Sequence, residues 1–360
     1  MTFDPTKRET LHKMATSLLA ISGLSQVGSL AMLNAKPHGW LALRGQTTAV
    51  SPTRQEETLD RFEQLIVPGW QLSRGKQQEM AAAKALAASC LPTLTAFACQ
   101  PSPQQQRAAN LAAQWYRLHT LLGYHTENVY VAGAHAQNAV TYSKIANNPD
   151  LIVASLAMHS LVLYYADRPE QALEKCTEAE QYLEKTTYAV QSYLYRRKAA
   201  CLAQLRQDKQ ALDTWDLAQE TYHLHPSSEI PLSYAEHNEI EMFLWEGITR
   251  SHIDQHNTAI ATLERLNPRE SVSVIPERIR TGFLNNLVFA ELRKPAQKRD
   301  LERCITLWQE AAQSATSLQS ELRYNEVIHA YVELAAAFPG ETRLKELRYA
   351  LSSLSRNRNN

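Results

Sequence analysis

The stretch from Leu151 to Tyr222 contains two copies of one helix-pair pattern, and this repetition constrains the fold more than any other feature. Each copy has a helix that ends in large apolar residues, followed by a short polar turn, ADRPEQ or RQDKQ. A second helix then opens with Ala-Leu in both copies. A lone helix pair cannot bury its apolar face, so such pairs stack on copies of themselves. The repetition therefore predicts an all-α array of stacked helix pairs.

Small or apolar residues recur at matching places in the two copies. In the first copy they are Leu156, Ser160, Leu163, Ala172, Cys176 and Ala179. In the second copy they are Tyr195, Ala199, Leu202, Ala211, Trp215 and Ala218. The place of Ala172 is matched in other pairs by Ala132, Ala211, Ala259 and Cys304. We expect the small residues at these places to pack between neighbouring helices.

The pattern resembles the tetratricopeptide repeat, in the longer-helix form found in bacterial regulatory proteins. Gly247 stands at the family's first-helix glycine position. The spacing of the matched alanines exceeds the roughly 34 residues of the standard repeat, which requires longer helices or loops. The resemblance implies a right-handed α-solenoid of about seven helix pairs. It covers residues 53–360, and residues 1–52 are predicted to form a preceding helix and loop.

Composition agrees with long helices, because glycines number only 11 and charged residues make up 21% of the chain. The 37 basic and 37 acidic side chains leave no net field. Direct binding to nucleic acid is therefore not expected. The five cysteines are widely spaced and contain no CxxC pair, which argues against a disulfide framework or a zinc site. We interpret them as small packing residues.

The first residues leave two interpretations of cellular location. An uncharged stretch, Met14 to Ala35, follows three basic residues, as in a secretory signal: Lys7, Arg8 and Lys13. Acidic residues in the basic region, Asp4 and Glu9, favour instead an amphipathic or buried helix. We expect a cytoplasmic protein without a membrane span. The alternative is an exported or membrane-anchored repeat protein that assembles an envelope complex.

Motifs that would support catalysis are missing. His252 and His256 have the spacing of a zinc-binding helix, but Ile253 stands where a zinc protease needs glutamate. The pair is also predicted to fall in a solvated turn between two helices. The sequence has no GxxxxGK[ST], GxGxxG or GxSxG motif. We therefore predict a non-catalytic protein with no metal and no cofactor, and an enzyme with an unrecognised site remains an alternative.

The resemblance implies a concave groove lined by the first helices of successive pairs. Nine residues on those helices are the predicted contacts: Arg117, Tyr124, Tyr164, Tyr165, Tyr193, Arg196, Glu241, Asn285 and Asn286. Arginine can hold a carboxylate with two hydrogen bonds, asparagine can pair with a peptide backbone, and tyrosine supplies contact area. The competing interpretation is that the tyrosines pack between pairs and the arginines are solvated.

The predicted function is a scaffold that docks a peptide or a partner protein in this groove. By resemblance it would be the sensor or regulatory part of a bacterial signalling or transcription-regulation system. A second copy of the chain, forming a homodimer, is also compatible with such a surface.

Overall fold

A computed structural model describes residues 52–225, 238–270, 275–347 and 351. The predicted N-terminal helix and the signal-like stretch from Met14 to Ala35 lie outside the described residues. The chain forms two compact units, Met1–Pro68 and Gly69–Asn360. The described residues are mainly helical and contain no strand, which confirms the all-α prediction.

Fourteen α-helices lie within the described residues. They are α1 Pro52–Gln64, α2 Ile66–Leu72, α3 Gln77–Ala98, α4 Gln105–Thr126, α5 Val129–Ile145, α6 Pro149–Tyr165, α7 Pro169–Glu180, α8 Tyr188–Gln204, α9 Asp208–Leu224, α10 Glu239–His252, α11 His256–Glu264, α12 Glu277–Leu292, α13 Leu301–Leu318 and α14 Glu321–Ala337. Short 3₁₀ turns occupy Leu183–Lys185 and Ala296–Lys298.

Local sequence explains where many of these helices begin and end. Side chains of Asn128, Asn148 and Asn238 accept hydrogen bonds from first-turn N–H groups of α5, α6 and α10, as helix N-caps do. Several helices are followed within two residues by a residue with positive φ: Asn147, Asp167, Arg206, Asp254 and Gln319. α3 runs through Pro92 without stopping.

α3 is long and apolar enough, by length and composition alone, to cross a membrane. Its side chains Met80, Leu86 and Leu94 are nonetheless buried within the folded chain. A core helix passes the same test of length and composition. The apolar character of α3 is therefore explained by its place in the core.

The helices of the larger unit alternate between two roles. The even-numbered helices from α4 to α14 are the first helices of successive pairs, and each contacts the next even-numbered helix. The odd-numbered helices from α5 to α13 pack beside them, and α5, α7, α11 and α13 each contact both flanking first helices closely. The first helices therefore form a continuous row.

Neighbouring first helices in this row run parallel. At the start of α6, the Asp150 carboxylate accepts a 2.8 Å hydrogen bond from the Thr187 N–H, just before α8. Near their other ends, Gln204 donates a 3.1 Å hydrogen bond to Asp167. These contacts place like ends of α6 and α8 together.

The two ends of the row also meet, because α14 packs against α4. His125 lies close to the end of α4, and Ser320 is the N-cap of α14. The His125 Nδ1 atom is 2.8 Å from the Ser320 Oγ atom. This contact joins residues separated by 195 positions. Unlike the other neighbours in the row, α4 and α14 meet through opposite ends.

The repeated small residues lie in the core, as predicted. Ala132, Ala172, Ala211, Ala259 and Cys304 are all completely buried. Close packing explains the preference for small side chains, because interiors leave little room for added methylene groups. Gly247 marks a close approach of two paired helices: an added Cβ would lie 2.4 Å from Leu263 Cγ on α11.

Candidate binding site

Aromatic and charged side chains from all six first helices form a connected group, which we call the interior layer. Its members are Arg117, Tyr124, His125, Tyr164, Tyr165, Tyr193, Arg196, Arg197, Glu241, Trp245, Arg278, Asn285, Arg323 and Glu326. Each belongs to α4, α6, α8, α10, α12 or α14. The row of first helices thus brings polar side chains from all six helices into one group.

Tyr193 on α8 is surrounded by guanidinium groups. The Cζ atoms of Arg117, Arg196 and Arg197 lie 5.9, 5.4 and 5.1 Å from its ring centroid. Arg197 also lies 3.9 Å from the ring centroid of Trp245 on α10. Such cation–π contacts favour the charged guanidinium inside the protein. Arg197 therefore connects the tyrosine on α8 to the next first helix.

Trp245 continues the layer toward α6. Its indole N–H donates a 3.0 Å hydrogen bond to Glu241, one turn earlier on α10. Its ring packs edge-on against Tyr164, with centroids 5.9 Å apart. Tyr164 in turn contacts Tyr165, and Tyr165 contacts Tyr124 on α4, at centroid distances of 5.5 and 6.0 Å. Three first helices therefore share one aromatic chain.

His125 connects α4 to both α12 and α14. The Nη1 atom of Arg278, on α12, lies 3.3 Å from the Nε2 atom of His125. A guanidinium can only donate, so Nε2 accepts and the ring proton is on Nδ1. That proton is donated to Ser320 Oγ, which lies 2.8 Å away. Burial, followed by the charges of Arg278 and Arg323, holds the pKa of His125 well below its usual value.

Arg323 on α14 donates three hydrogen bonds within the layer. Its Nε donates to the Arg278 carbonyl at 3.0 Å, and its Nη1 donates to both carboxylate oxygens of Glu326 at 2.7 Å. Glu326 also accepts a 2.9 Å hydrogen bond from Asn285 on α12. Gly282 leaves room for this guanidinium, because an added Cβ would lie 3.0 Å from three of its atoms.

Tyrosine and arginine protonation follows from this environment. Burial raises the pKa of Tyr165 to about 12, and Arg323, Glu326, Arg197 and Glu241 all act on it electrostatically. Burial lowers the pKa of Arg323, but Glu326, Tyr165 and Tyr124 together more than offset this, so its net pKa is raised. Both groups therefore keep their ordinary protonation at neutral pH, with Tyr165 as a neutral hydrogen-bond donor.

The predicted contact residues are mostly buried rather than exposed. Arg117, Tyr193, Arg196, Glu241 and Asn285 are at most 5% exposed, as is Tyr124, whereas Tyr164, Tyr165 and Asn286 are half-buried. Eight of the nine belong to the interior layer. Asn286 does not, because it donates to the Gly282 carbonyl of its own helix at 2.8 Å.

Six members of the layer were missing from the sequence prediction of contacts. They are His125, Arg197, Trp245, Arg278, Arg323 and Glu326. Each lies on a first helix, so position in the pair could have indicated them. The contact between α4 and α14, which brings Arg323 near Tyr124 and Tyr165, gives no sequence signal.

Three buried side chains of the layer have a polar atom that finds no hydrogen-bond partner in the part of the chain that the structure describes. These atoms are the Tyr193 hydroxyl, Arg278 Nε and Asn285 Oδ1. No carboxylate among the described residues forms an ion pair with Arg278, whose contact there is the His125 ring. A buried polar atom without a partner costs about 1 to 3 kcal/mol. The layer therefore has unused capacity to bind a hydroxyl, amide or carboxylate.

His252 and His256 do not share a helix, as predicted, because α10 ends at one and α11 begins at the other. The expectation of a solvated turn is wrong for His252. Its Nε2 lies 3.2 Å from the Tyr164 hydroxyl, because the end of α10 packs toward α6. Burial lowers its pKa to about 3, followed by the charges of Arg293 and Arg206.

Low histidine pKa values recur elsewhere in the larger unit. Burial is the first cause in each case, and it lowers the pKa of His119 to about 3 and that of His159 to about 4. With His125, His135, His252 and His256 these make a set of six, which we call the low-pKa histidines. Among the described residues, no group of three or more His, Cys, Asp or Glu side chains could hold a metal ion.

Comparison with known proteins adds no further information on the site. No protein-family model matches the chain, and no curated protein matches it significantly.

Proposed function

We propose that the protein is a non-catalytic scaffold that binds a peptide or a partner protein through the interior layer. In this proposal it is the sensor or regulatory part of a bacterial signalling or transcription-regulation system. The three buried polar atoms without partners carry the proposal, because a ligand that pairs with them would recover the cost of burying them.

A peptide has the chemistry that these atoms require. A ligand carboxylate could accept from Arg278, a ligand N–H could donate to Asn285 Oδ1, and a carbonyl could accept from the Tyr193 hydroxyl. Tyr193, Arg278 and Asn285 lie on α8 and α12. An extended ligand could therefore contact more than one helix pair.

We further propose that the helix pairs form a tetratricopeptide-like right-handed solenoid. Like ends meet along the row at α6 and α8, whereas the end of α4 meets the start of α14. A flat ring of parallel helices would bring like ends together at this closing contact as well. Opposite ends meet when a superhelix has advanced by about one helix length in one turn, which supports the solenoid.

The binding proposal is tested with a random peptide library displayed on phage and selected against the full chain. Enriched peptides are synthesised with a fluorescent label, and their Kd is measured by fluorescence anisotropy. Arg278→Lys removes the two-pronged donor but keeps the charge. Loss of a charge-assisted hydrogen bond costs about 1.5 to 3 kcal/mol, so Kd should rise on the order of tenfold to a hundredfold.

Arg269→Lys is the matched control. Arg269 carries an exposed side chain that pairs with Glu310 at 2.6 Å, outside the interior layer, so its variant should bind like the wild type. Asn285→Asp provides a second test at the layer, because it replaces the amide donor to Glu326 with a repelling carboxylate. Equal binding by all variants, or a selection that enriches no peptide, would refute the proposal.

We also propose that the protein acts in the cytoplasm. Intact mass and fractionation of the protein from its native host test this point. A soluble full-length species is expected. Loss of about thirty residues from the start of the chain, or retention in the membrane, would favour the exported alternative.

A further inference from the structure

Two cysteines from consecutive helix pairs meet at one buried hydroxyl. Cys176 lies on α7 and Cys201 on α8, and both are essentially fully buried. The Ser160 Oγ on α6 lies 3.1 Å from the Cys176 sulfur and 3.7 Å from the Cys201 sulfur. The two thiols are also close enough to hydrogen-bond to each other. Three helices thus bring two sulfur atoms to a single point.

The other cysteines have no such arrangement. Cys90 and Cys304 are buried, and Cys99 is exposed. The contacts of Cys90 and Cys99 are oxygen atoms of Ser89 and Tyr142, each at 3.9 Å. All five cysteines lie within the described residues, so these three serve as internal controls for the pair.

We propose that Cys176 and Cys201 form a redox-active dithiol, which a hydroperoxide converts reversibly into a disulfide between neighbouring helix pairs. The Cys201 thiolate attacks the peroxide oxygen and becomes a sulfenic acid, releasing water or an alcohol. The Cys176 thiol then attacks the sulfenic sulfur, its proton leaves with the hydroxyl group as water, and the S–S bond forms. In total, both thiols are oxidised, one peroxide is reduced, and a small dithiol reverses the reaction by thiol–disulfide exchange.

The surroundings distinguish the roles of the two thiols. The hydrogen bond from Cys176, opposed by burial, lowers the pKa of Cys201, and Ser160 and Arg197 also stabilise its thiolate. The same hydrogen bond, together with burial, raises the pKa of Cys176. Thiolate is the reactive form, so Cys201 should react first and Cys176 should resolve the product.

Burial of the cysteines controls the rate of their oxidation but not which two cysteines become linked. Buried cysteines are generally inert, so oxidation must follow local opening of the junction between α7 and α8. Cys90 and Cys304 are subject to the same restriction. A selective reaction at Cys176 and Cys201 would therefore reflect their proximity rather than their exposure.

Trypsin digestion offers a direct measurement, because the two cysteines fall in separate peptides, residues 176–185 and 199–206, with one cysteine each. The reduced full chain is treated with hydrogen peroxide, unfolded, alkylated and digested. We expect the two peptides to be joined, with an intact mass lower by two hydrogen atoms and full reversal by dithiothreitol. The oxidised chain should also unfold at a higher urea concentration than the reduced chain, since a cross-link constrains the unfolded state.

Two variants and one condition complete the design. Cys201→Ser should abolish the linked peptides, and Cys304→Ala should leave their yield unchanged. Alkylation of both peptides after peroxide treatment of the folded chain would overturn the proposal. So would a linkage that forms only in urea, because it would show that the fold does not hold the sulfurs together.

Discussion

The substitution Gly247→Ala adds a single methyl group and tests how closely α10 and α11 approach. Gly247 lies within α10, and an added Cβ would lie 2.4, 2.5 and 3.1 Å from three side-chain carbons of Leu263. Leu263 is completely buried on α11, the partner helix of the pair. Because carbon atoms prefer separations of about 3.5 to 4.0 Å, Leu263 or its helix must move by about 1 Å to admit the methyl group.

Two effects of opposite sign determine the outcome of Gly247→Ala. Alanine favours a helix over glycine by about 1 kcal/mol. Overpacking of a core costs about 1 to 3 kcal/mol, and two contacts below 3 Å indicate the upper part of that range. The variant should therefore lower the free energy of unfolding by about 1 to 2 kcal/mol.

Urea unfolding followed by far-ultraviolet circular dichroism measures this loss. Gly133→Ala is the matched control, because Gly133 also lies inside a helix, α5, and its nearest contact for a Cβ is Val162 Cγ1 at 3.9 Å. That variant should gain about 0.5 to 1 kcal/mol from helix propensity alone.

A double-mutant cycle locates the cause at Leu263. Leu263→Ala alone should cost about 2 to 5 kcal/mol, because it leaves a cavity. The added methyl of Gly247→Ala would partly fill that cavity, so the double variant should lose less than the sum of the single losses. If Gly247→Ala is as stable as Gly133→Ala, or if the losses simply add, the inferred close approach of α10 and α11 is wrong.

Two further predictions concern buried charges. Stability should fall as the pH drops below the ordinary histidine value of 6.5, because the unfolded chain then binds protons that His119, His159 and His252 exclude in the folded chain until about pH 3 to 4. Each such histidine contributes up to about 1.4 kcal/mol per pH unit, so urea midpoints of His252→Gln should decline less steeply with falling pH than those of the wild type. Glu291→Ala should lower the free energy of unfolding by about 3 kcal/mol, because it leaves Lys294 without its buried partner. Glu302→Ala, at an exposed ion pair, should lower it by less than about 1 kcal/mol. Equal losses in urea unfolding would contradict this reasoning.

Much of the helical architecture could be predicted from the sequence because it is encoded locally. Asparagine N-caps and Asn147 mark boundaries that the sequence also marks with Pro149. The small residues at Ala172 and Ala211 identify where neighbouring helices approach, and both are fully buried. Each of these signals depends on residues that are near in sequence or repeat in each pair.

The closing contact between α4 and α14 could not be predicted in this way. His125 and Ser320 are 195 residues apart, and neither belongs to the repeated pattern. Small changes in packing at every junction accumulate along a row of helices, so the relation between its ends depends on all of them. For that reason the sequence predicts residues such as Tyr124 and Tyr165 as contacts but not their proximity to Arg323.

The interior layer places charged side chains between the helices, where their burial costs free energy. Apolar residues of similar volume often stabilise a protein as well as buried charges do, or better. Tyr193→Phe separates stability from binding, because the Tyr193 hydroxyl is buried and has no hydrogen-bond partner among the described residues. If the hydroxyl serves a ligand, the variant should be equally stable or up to about 1 kcal/mol more stable, yet bind selected peptides more weakly.

Tyr331→Phe is the control for a hydroxyl with a structural role. Its hydroxyl donates a 3.1 Å hydrogen bond to the Leu344 carbonyl, so its removal should cost about 1 kcal/mol in urea unfolding and leave peptide binding unchanged. A Tyr193→Phe variant that loses stability to the same extent would show that the hydroxyl supports the fold. The layer would then lose one of the three atoms on which its proposed role in binding depends.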